Sequence, residues 1–117
     1  MTNGYTTPEP NKSWDVMRGY GLLLAGIIHG KYQPRCGCEP KLLQALCINE
    51  IVKEITPSPY VDNDVKVYIE NEARSYDSYV FTKQHMGILE EAEEEARELA
   101  YKTLESVGFF EDTDPND

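Results

Sequence analysis

The sequence has no long hydrophobic run: the longest, Gly21 to Ile28, contains eight residues. A helix that crosses a bilayer needs about 20 apolar residues, so no transmembrane helix is expected. The first twelve residues are polar and include Pro8 and Pro10. This composition is unlike that of a secretory signal peptide. We therefore expect a cytoplasmic protein that does not act at a membrane.

Basic residues are scarce, with 11 lysines and arginines against 21 acidic residues and a formal net charge of −10. Nucleic-acid binding depends on Lys and Arg to displace phosphate counterions, so this balance disfavours direct contact with nucleic acid. It also disfavours docking on anionic lipid. The charge instead suits a basic protein partner or mimicry of a polyanion.

The sequence also lacks the motifs that carry common enzymatic chemistry. It has no Gly-x-Ser-x-Gly nucleophile turn and no glycine-rich phosphate loop. Its only histidines are His29 and His85, and no Glu-x-x-His pair of the di-iron type is present. These absences predict a protein that is not an enzyme and that carries no cofactor.

Cysteine is limited to Cys36, Cys38 and Cys47. An odd number at close spacing favours a reducing compartment over a disulfide scaffold. With His29 these residues match zinc in ligand number and type, but Cys36 and Cys38 are separated by one residue where structural zinc sites have two to four. No Cys-x-x-Cys redox motif is present. A small zinc or redox protein that uses the three cysteines is an alternative, while no metal site is the first prediction.

Apolar residues recur at helical spacing over most of the chain, which predicts an all-α fold. Ser13 is a plausible N-cap of the first helix, and Gly108 is well placed just beyond the end of the last. The expected bundle has about four helices, at 14–30, 40–55, 62–80 and 84–107. The expected organisation is a flexible arm at 1–12, one helical domain at 13–110 and an acidic disordered tail at 111–117.

The third segment is ambiguous. Val65, Val67 and Ile69 alternate with polar residues, which is typical of a strand. A β-hairpin at about 64–82 would make the fold α+β. The same segment also fits a helical stripe and lacks the Gly or Pro that a hairpin turn favours, so helix is the first prediction.

The last predicted helix separates acidic and small side chains onto opposite faces. Ala92, Ala96 and Ala100 recur every four residues, and Gly19, Gly26 and Gly30 line one side of the first helix. Small residues permit short distances between helix axes, so the first and last helices are expected to pack closely. The acidic face is a candidate surface for a basic partner, formed by Glu90, Glu91, Glu94, Glu95 and Glu98.

Two further sets of residues are candidate contacts with a partner. Leu42 and Leu46 make the start of the second helix apolar on more than one side, which indicates either deep burial or an intermolecular contact. Tyr68, Tyr76 and Tyr79 belong to an unusually tyrosine-rich chain, and tyrosine is enriched at interfaces.

The first functional hypothesis is therefore a non-enzymatic protein–protein interaction or assembly protein that self-associates into a homo-oligomer. Two alternatives remain: the small zinc or redox protein described above, and an acidic inhibitor. Such an inhibitor would mimic nucleic acid and bind the basic surface of a nucleic-acid-binding protein.

Overall fold

The structure is a computed structural model that describes residues 11–35, 37–84 and 89–110. Within these ranges the chain is all-α, with five helices and no strand. The helices are α1 Ser13–Ile28, α2 Pro40–Ile55, α3 Asn63–Arg74, α4 Asp77–Gln84 and α5 Leu89–Ser106. The all-α prediction is confirmed, and the hairpin alternative is wrong.

Helix α2 forms the centre of the fold and contacts each of the other four helices. Pro40 occupies its first turn, where a missing backbone N–H has no helical partner to lose. The sequence left open whether Leu42 and Leu46 are deeply buried or contact another molecule. Both side chains lie in the core of the structure. Other core side chains of this helix are Leu43, Cys47, Ile48, Ile51 and Ile55.

Helix α5 packs mainly against α2 through its row of alanines. Ala92, Ala96 and Ala100 are buried, and the Cys47 thiol lies 3.7 Å from the Ala96 carbonyl oxygen. A side chain of α2 thus reaches the backbone of α5, which only small residues on α5 allow. The predicted separation of small and acidic faces is confirmed for residues 89–106.

The expected close packing of the first and last helices is confirmed at one glycine only. A Cβ atom added to Gly19 would lie 3.1 Å from Val107 Cγ2, so α1 and the end of α5 are tightly packed there. At Gly26 an added Cβ would instead overlap the Tyr32 ring. The alanine row of α5 faces α2, because the larger apolar surface of α2 already occupies the centre of the bundle.

Helix α5 ends in a Schellman motif centred on Gly108, which has φ of +86°. The Gly108 N–H donates to the Glu105 carbonyl at 3.1 Å, and the Phe109 N–H donates to the Leu104 carbonyl at 2.9 Å. This is the predicted role of Gly108, with Phe109 folded back into the core. Gly30 ends α1 with the same geometry.

We expect Gly108→Ala to lower the free energy of unfolding by about 1 kcal/mol, because a residue with a Cβ is strained at this φ. Urea denaturation followed by circular dichroism measures the change. Gly21→Ala is the matched control: Gly21 lies inside α1 with open space around its Cβ position, so alanine should stabilise by about 0.5–1 kcal/mol. Equal effects at both positions would contradict this explanation.

The start of α1 differs from the prediction. Ser13 is the first helical residue and not the N-cap, and Asn11 Oδ1 accepts a hydrogen bond from its N–H at 2.9 Å. The Ser13 hydroxyl instead accepts from the Asp62 N–H at 2.7 Å. The side chain is therefore used to hold the loop before α3, a tertiary contact that local sequence does not reveal.

The predicted helix at 62–80 is divided into α3 and α4. The Ser75 hydroxyl donates to the Glu72 carbonyl at 2.6 Å, and the Tyr76 N–H bonds to the Ala73 carbonyl at 3.1 Å, so the chain turns at these two residues. Helix α4 continues to Gln84 and α5 begins at Leu89. The predicted bundle of four helices thus has five, and His85 lies outside the described residues.

Candidate interaction surfaces

The acidic face of α5 is exposed to solvent as the sequence predicted. The side chains of Glu90, Glu91, Glu94 and Glu98 are exposed, whereas that of Glu95 is mostly buried, with 11% of its surface exposed. The four exposed glutamates lie on the side of α5 opposite the alanine row that packs on α2, while Glu95 lies at the edge of that row. The structure therefore brings these predicted site residues together on one surface.

Part of this acidic face is engaged by the connector between α1 and α2. The Arg35 guanidinium donates to Glu98 Oε1 at 2.8 Å, and its backbone N–H donates to Glu95 Oε2 at 2.8 Å. A shallow cavity of about 250 Å³ is lined by Arg35, Glu91, Glu94, Glu95 and Glu98. The connector thus neutralises one end of the face, which reduces the charge available to a basic partner.

The three predicted tyrosines make contacts within the chain. The Tyr76 hydroxyl accepts a hydrogen bond from Gln44 Nε2 at 2.8 Å, and the Tyr79 hydroxyl donates to Glu39. Tyr68 is half exposed, and its ring meets the Tyr20 ring edge-on at 6.1 Å. These contacts attach α3 and α4 to the rest of the bundle, so the tyrosines have a structural role whether or not they also meet a partner.

Tyr79 is the most constrained of the three. Its ring lies 4.5 Å from Lys41 Nζ and 5.5 Å from Lys83 Nζ, and Lys83 Nζ is 2.9 Å from Glu39 Oε1. The hydrogen bond from Tyr79, supported by Lys83, lowers the pKa of Glu39. Burial, followed by the contact with Glu39, raises the pKa of Tyr79. The phenol therefore stays protonated and acts as a donor to the carboxylate.

The described cysteines have the environment of core residues. Cys38 and Cys47 are both buried, and burial raises the pKa of Cys47. A protonated thiol is a poor metal ligand and a poor nucleophile. Across residues 11–35, 37–84 and 89–110, no group of three His, Cys, Asp or Glu side chains could hold a metal ion. Cys36, the third residue of that hypothesis, lies outside these ranges.

The structure reveals a surface that the sequence analysis missed, on the side of α1 that faces away from the core. Three large apolar side chains are exposed there: Trp14 (75%), Leu22 (55%) and Ile28 (69%). We call this surface the α1 face, and it consists of Trp14, Arg18, Gly21, Leu22, Ala25, Ile28 and His29. These positions share one side of the helix at 100° per residue.

The α1 face carries no acidic side chain, in contrast to the rest of this strongly acidic chain. The only acid in α1 is Asp15, which is half-buried beside the face. The charged or ionisable residues of the α1 face are Arg18 and His29. Arg18 Nη2 lies 3.4 Å from the Val107 carbonyl oxygen. The sequence shows that α1 has apolar residues on two sides, but the spacing does not indicate which side the other helices cover.

A groove borders the α1 face where α1 passes over the end of α5. Its volume is about 170 Å³, and Leu22 and Ala25 belong to both the groove and the face. The other lining residues are Gly26, His29, Lys31, Tyr32, Thr103 and Ser106. The face and groove together form one continuous surface of mixed apolar and hydroxyl character.

Among the helices that the structure describes, none is both long enough and apolar enough to span a membrane. No protein-family model matches the chain, and no curated protein or solved structure is significantly similar to it.

Proposed function

We propose that this chain is a non-enzymatic protein that self-associates through the α1 face. The observation that carries the proposal is the exposure of Trp14, Leu22 and Ile28 on one side of a single helix. Together they expose apolar area on the order of a few hundred Å², a size at which patches on single chains commonly mark binding sites. Tryptophan is also one of the residues enriched among side chains that dominate binding energy.

Charge restricts where two copies of the chain can meet. Two copies with a net charge of −10 each repel one another over most of their surface. The α1 face is free of acids, so two copies can approach there without placing carboxylates against each other. Leu42 and Leu46 have no part in this proposal, because the chain's own core covers them.

The test of self-association is a double substitution, Leu22→Glu with Ile28→Glu. Both side chains are exposed, so the fold should tolerate the change. The added carboxylates would be placed inside an apolar interface, where unpaired charges lose their hydration and disfavour association. We expect the parent chain to form dimers in sedimentation equilibrium as concentration rises, and the variant to remain monomeric. Circular dichroism would verify that both are folded.

The matched control is Val67→Glu, which adds charge at an exposed apolar residue of α3, away from the α1 face. We expect it to dimerise with nearly the affinity of the parent. A parent chain that is monomeric over a wide concentration range would rule out self-association. Equal loss of dimer in both variants would point to net charge and not to the α1 face.

The acidic face of α5 supports the alternative, an inhibitor that binds a basic surface. Three of its carboxylates, Glu90, Glu91 and Glu94, are exposed and have no ion pair among the described residues. Such binding would weaken with added salt, whereas association of two acidic copies through an apolar helix face would not weaken, because salt screens their repulsion. Self-association that survives added salt therefore favours the first proposal.

A further inference from the structure

We infer that two copies pair α1 against α1 in antiparallel orientation, with the two-fold axis at Gly21 and each Trp14 held in the groove of the other copy. This inference rests on the proposed self-association and adds its register. It is argued from the spacing of the α1 face, the open space at Gly21 and the chemistry of the groove.

The spacing of large residues on the α1 face is symmetric about Gly21. Trp14 lies seven residues before it and Ile28 seven residues after it. In a two-fold antiparallel pair, a residue before the axis meets the residue at the same distance after it in the other copy. Seven residues are two helical turns, or about 10 Å along the helix. Trp14 of each copy therefore comes level with Ile28 of the other.

Small residues at the axis permit a close approach of the two helices. A Cβ added to Gly21 would have no heavy atom within 4 Å, whereas Gly19 and Gly26 are each packed against a neighbour in the same chain. A glycine inside a helix is less stable than an alanine there, and nothing within the described chain offsets this cost at Gly21. A second backbone crossing at Gly21 and Ala25 would use the space.

The groove suits an indole ring. Leu22, Ala25 and Tyr32 offer apolar surface, and Thr103 and Ser106 also line the groove. Both hydroxyls donate their protons to backbone carbonyls, Thr103 to Leu99 and Ser106 to Thr103, each at 2.8 Å. Their oxygens therefore remain as acceptors for the indole N–H, which needs a partner when it is buried.

A cysteine at the axis tests this register. A disulfide requires Cα atoms about 4.4–6.8 Å apart, so Gly21→Cys should link two copies only if the helices cross there. We expect a reducible dimer under mild oxidation, with the 21–21 link identified by mass spectrometry of peptides. Val67→Cys and the parent chain, which retains its native cysteines, serve as controls and should give no such dimer.

Fluorescence of Trp14, the only tryptophan of the chain, provides a second readout. Its emission should shift to shorter wavelength as the dimer forms. The substitution Gly21→Leu should weaken the dimer by at least about tenfold while the monomer stays folded, because the added side chain would separate the two helices. A dimer that lacks the 21–21 link, or in which Trp14 keeps the emission of a hydrated indole, would overturn the register and leave self-association standing. A strict monomer would overturn both.

Discussion

Replacing Ala96 with leucine should lower the free energy of unfolding by about 3 kcal/mol or more, the upper range for overpacking a core. Ala96 is fully buried, and its carbonyl oxygen lies 3.7 Å from the Cys47 thiol on α2. Three added carbon atoms would have to separate α5 from α2, the most extensive helix contact of the fold. Because small domains are stable by only about 5–15 kcal/mol, urea denaturation should detect a large loss.

Glu94→Leu is the control on the same helix, since Glu94 is exposed and leucine and glutamate have similar helix propensities. Its effect should be within about 0.5 kcal/mol, as is usual at the surface. If Ala96→Leu changed the free energy of unfolding as little as this control, it would contradict the close contact between α2 and α5.

The features that the sequence predicted correctly are those that local periodicity determines. The alanine row of α5 and the left-handed Gly108 both depend on residues that are near one another in the chain. The predicted bounds of the second helix, 40–55, belong to the same class and agree with α2. Helical spacing and end motifs can be recognised there without knowledge of the neighbours.

The features that the sequence could not settle depend on which element packs against which. Ala96 faces α2 and Gly26 faces Tyr32, although both were expected at the contact between α1 and α5. Likewise the turn at Ser75 interrupts a pattern that fits a helix on both sides of it. Several partners satisfy the same small-residue or helical pattern, and tertiary packing decides among them.

The candidate site follows the same division. The acidic residues of α5 could be placed on one surface from their spacing, and the structure places them there. The α1 face could not be recognised from helical spacing alone, because apolar residues lie on more than one side of α1 and Ile28, which is apolar, is exposed. Only the position of α5 and α2 shows which side of α1 remains uncovered.

Helix α5 has no basic residue in its own last turn. Positive charge at this end comes from the beginning of α1 and the residue before it. Lys12 Nζ lies 2.8 Å from the Phe109 carbonyl oxygen and 3.1 Å from that of Gly108, and Arg18 reaches the Val107 carbonyl. A cation at the C-terminus of a helix interacts favourably with the helix dipole. The start of α1 thus holds the end of α5 in place.

Lys12→Met should therefore lower the free energy of unfolding by about 2–4 kcal/mol. Lys12 is buried, and methionine would keep much of its apolar volume while removing the donor from two carbonyl oxygens. A charged hydrogen bond contributes about 1.5–3 kcal/mol, and a buried acceptor left without a donor costs about 1–3 kcal/mol. The control is Lys66→Met on α3, where no ion pair to another described residue is lost. Urea denaturation of both variants measures the effect. Equal, small decreases in the free energy of unfolding would show that Lys12 does not hold the end of α5.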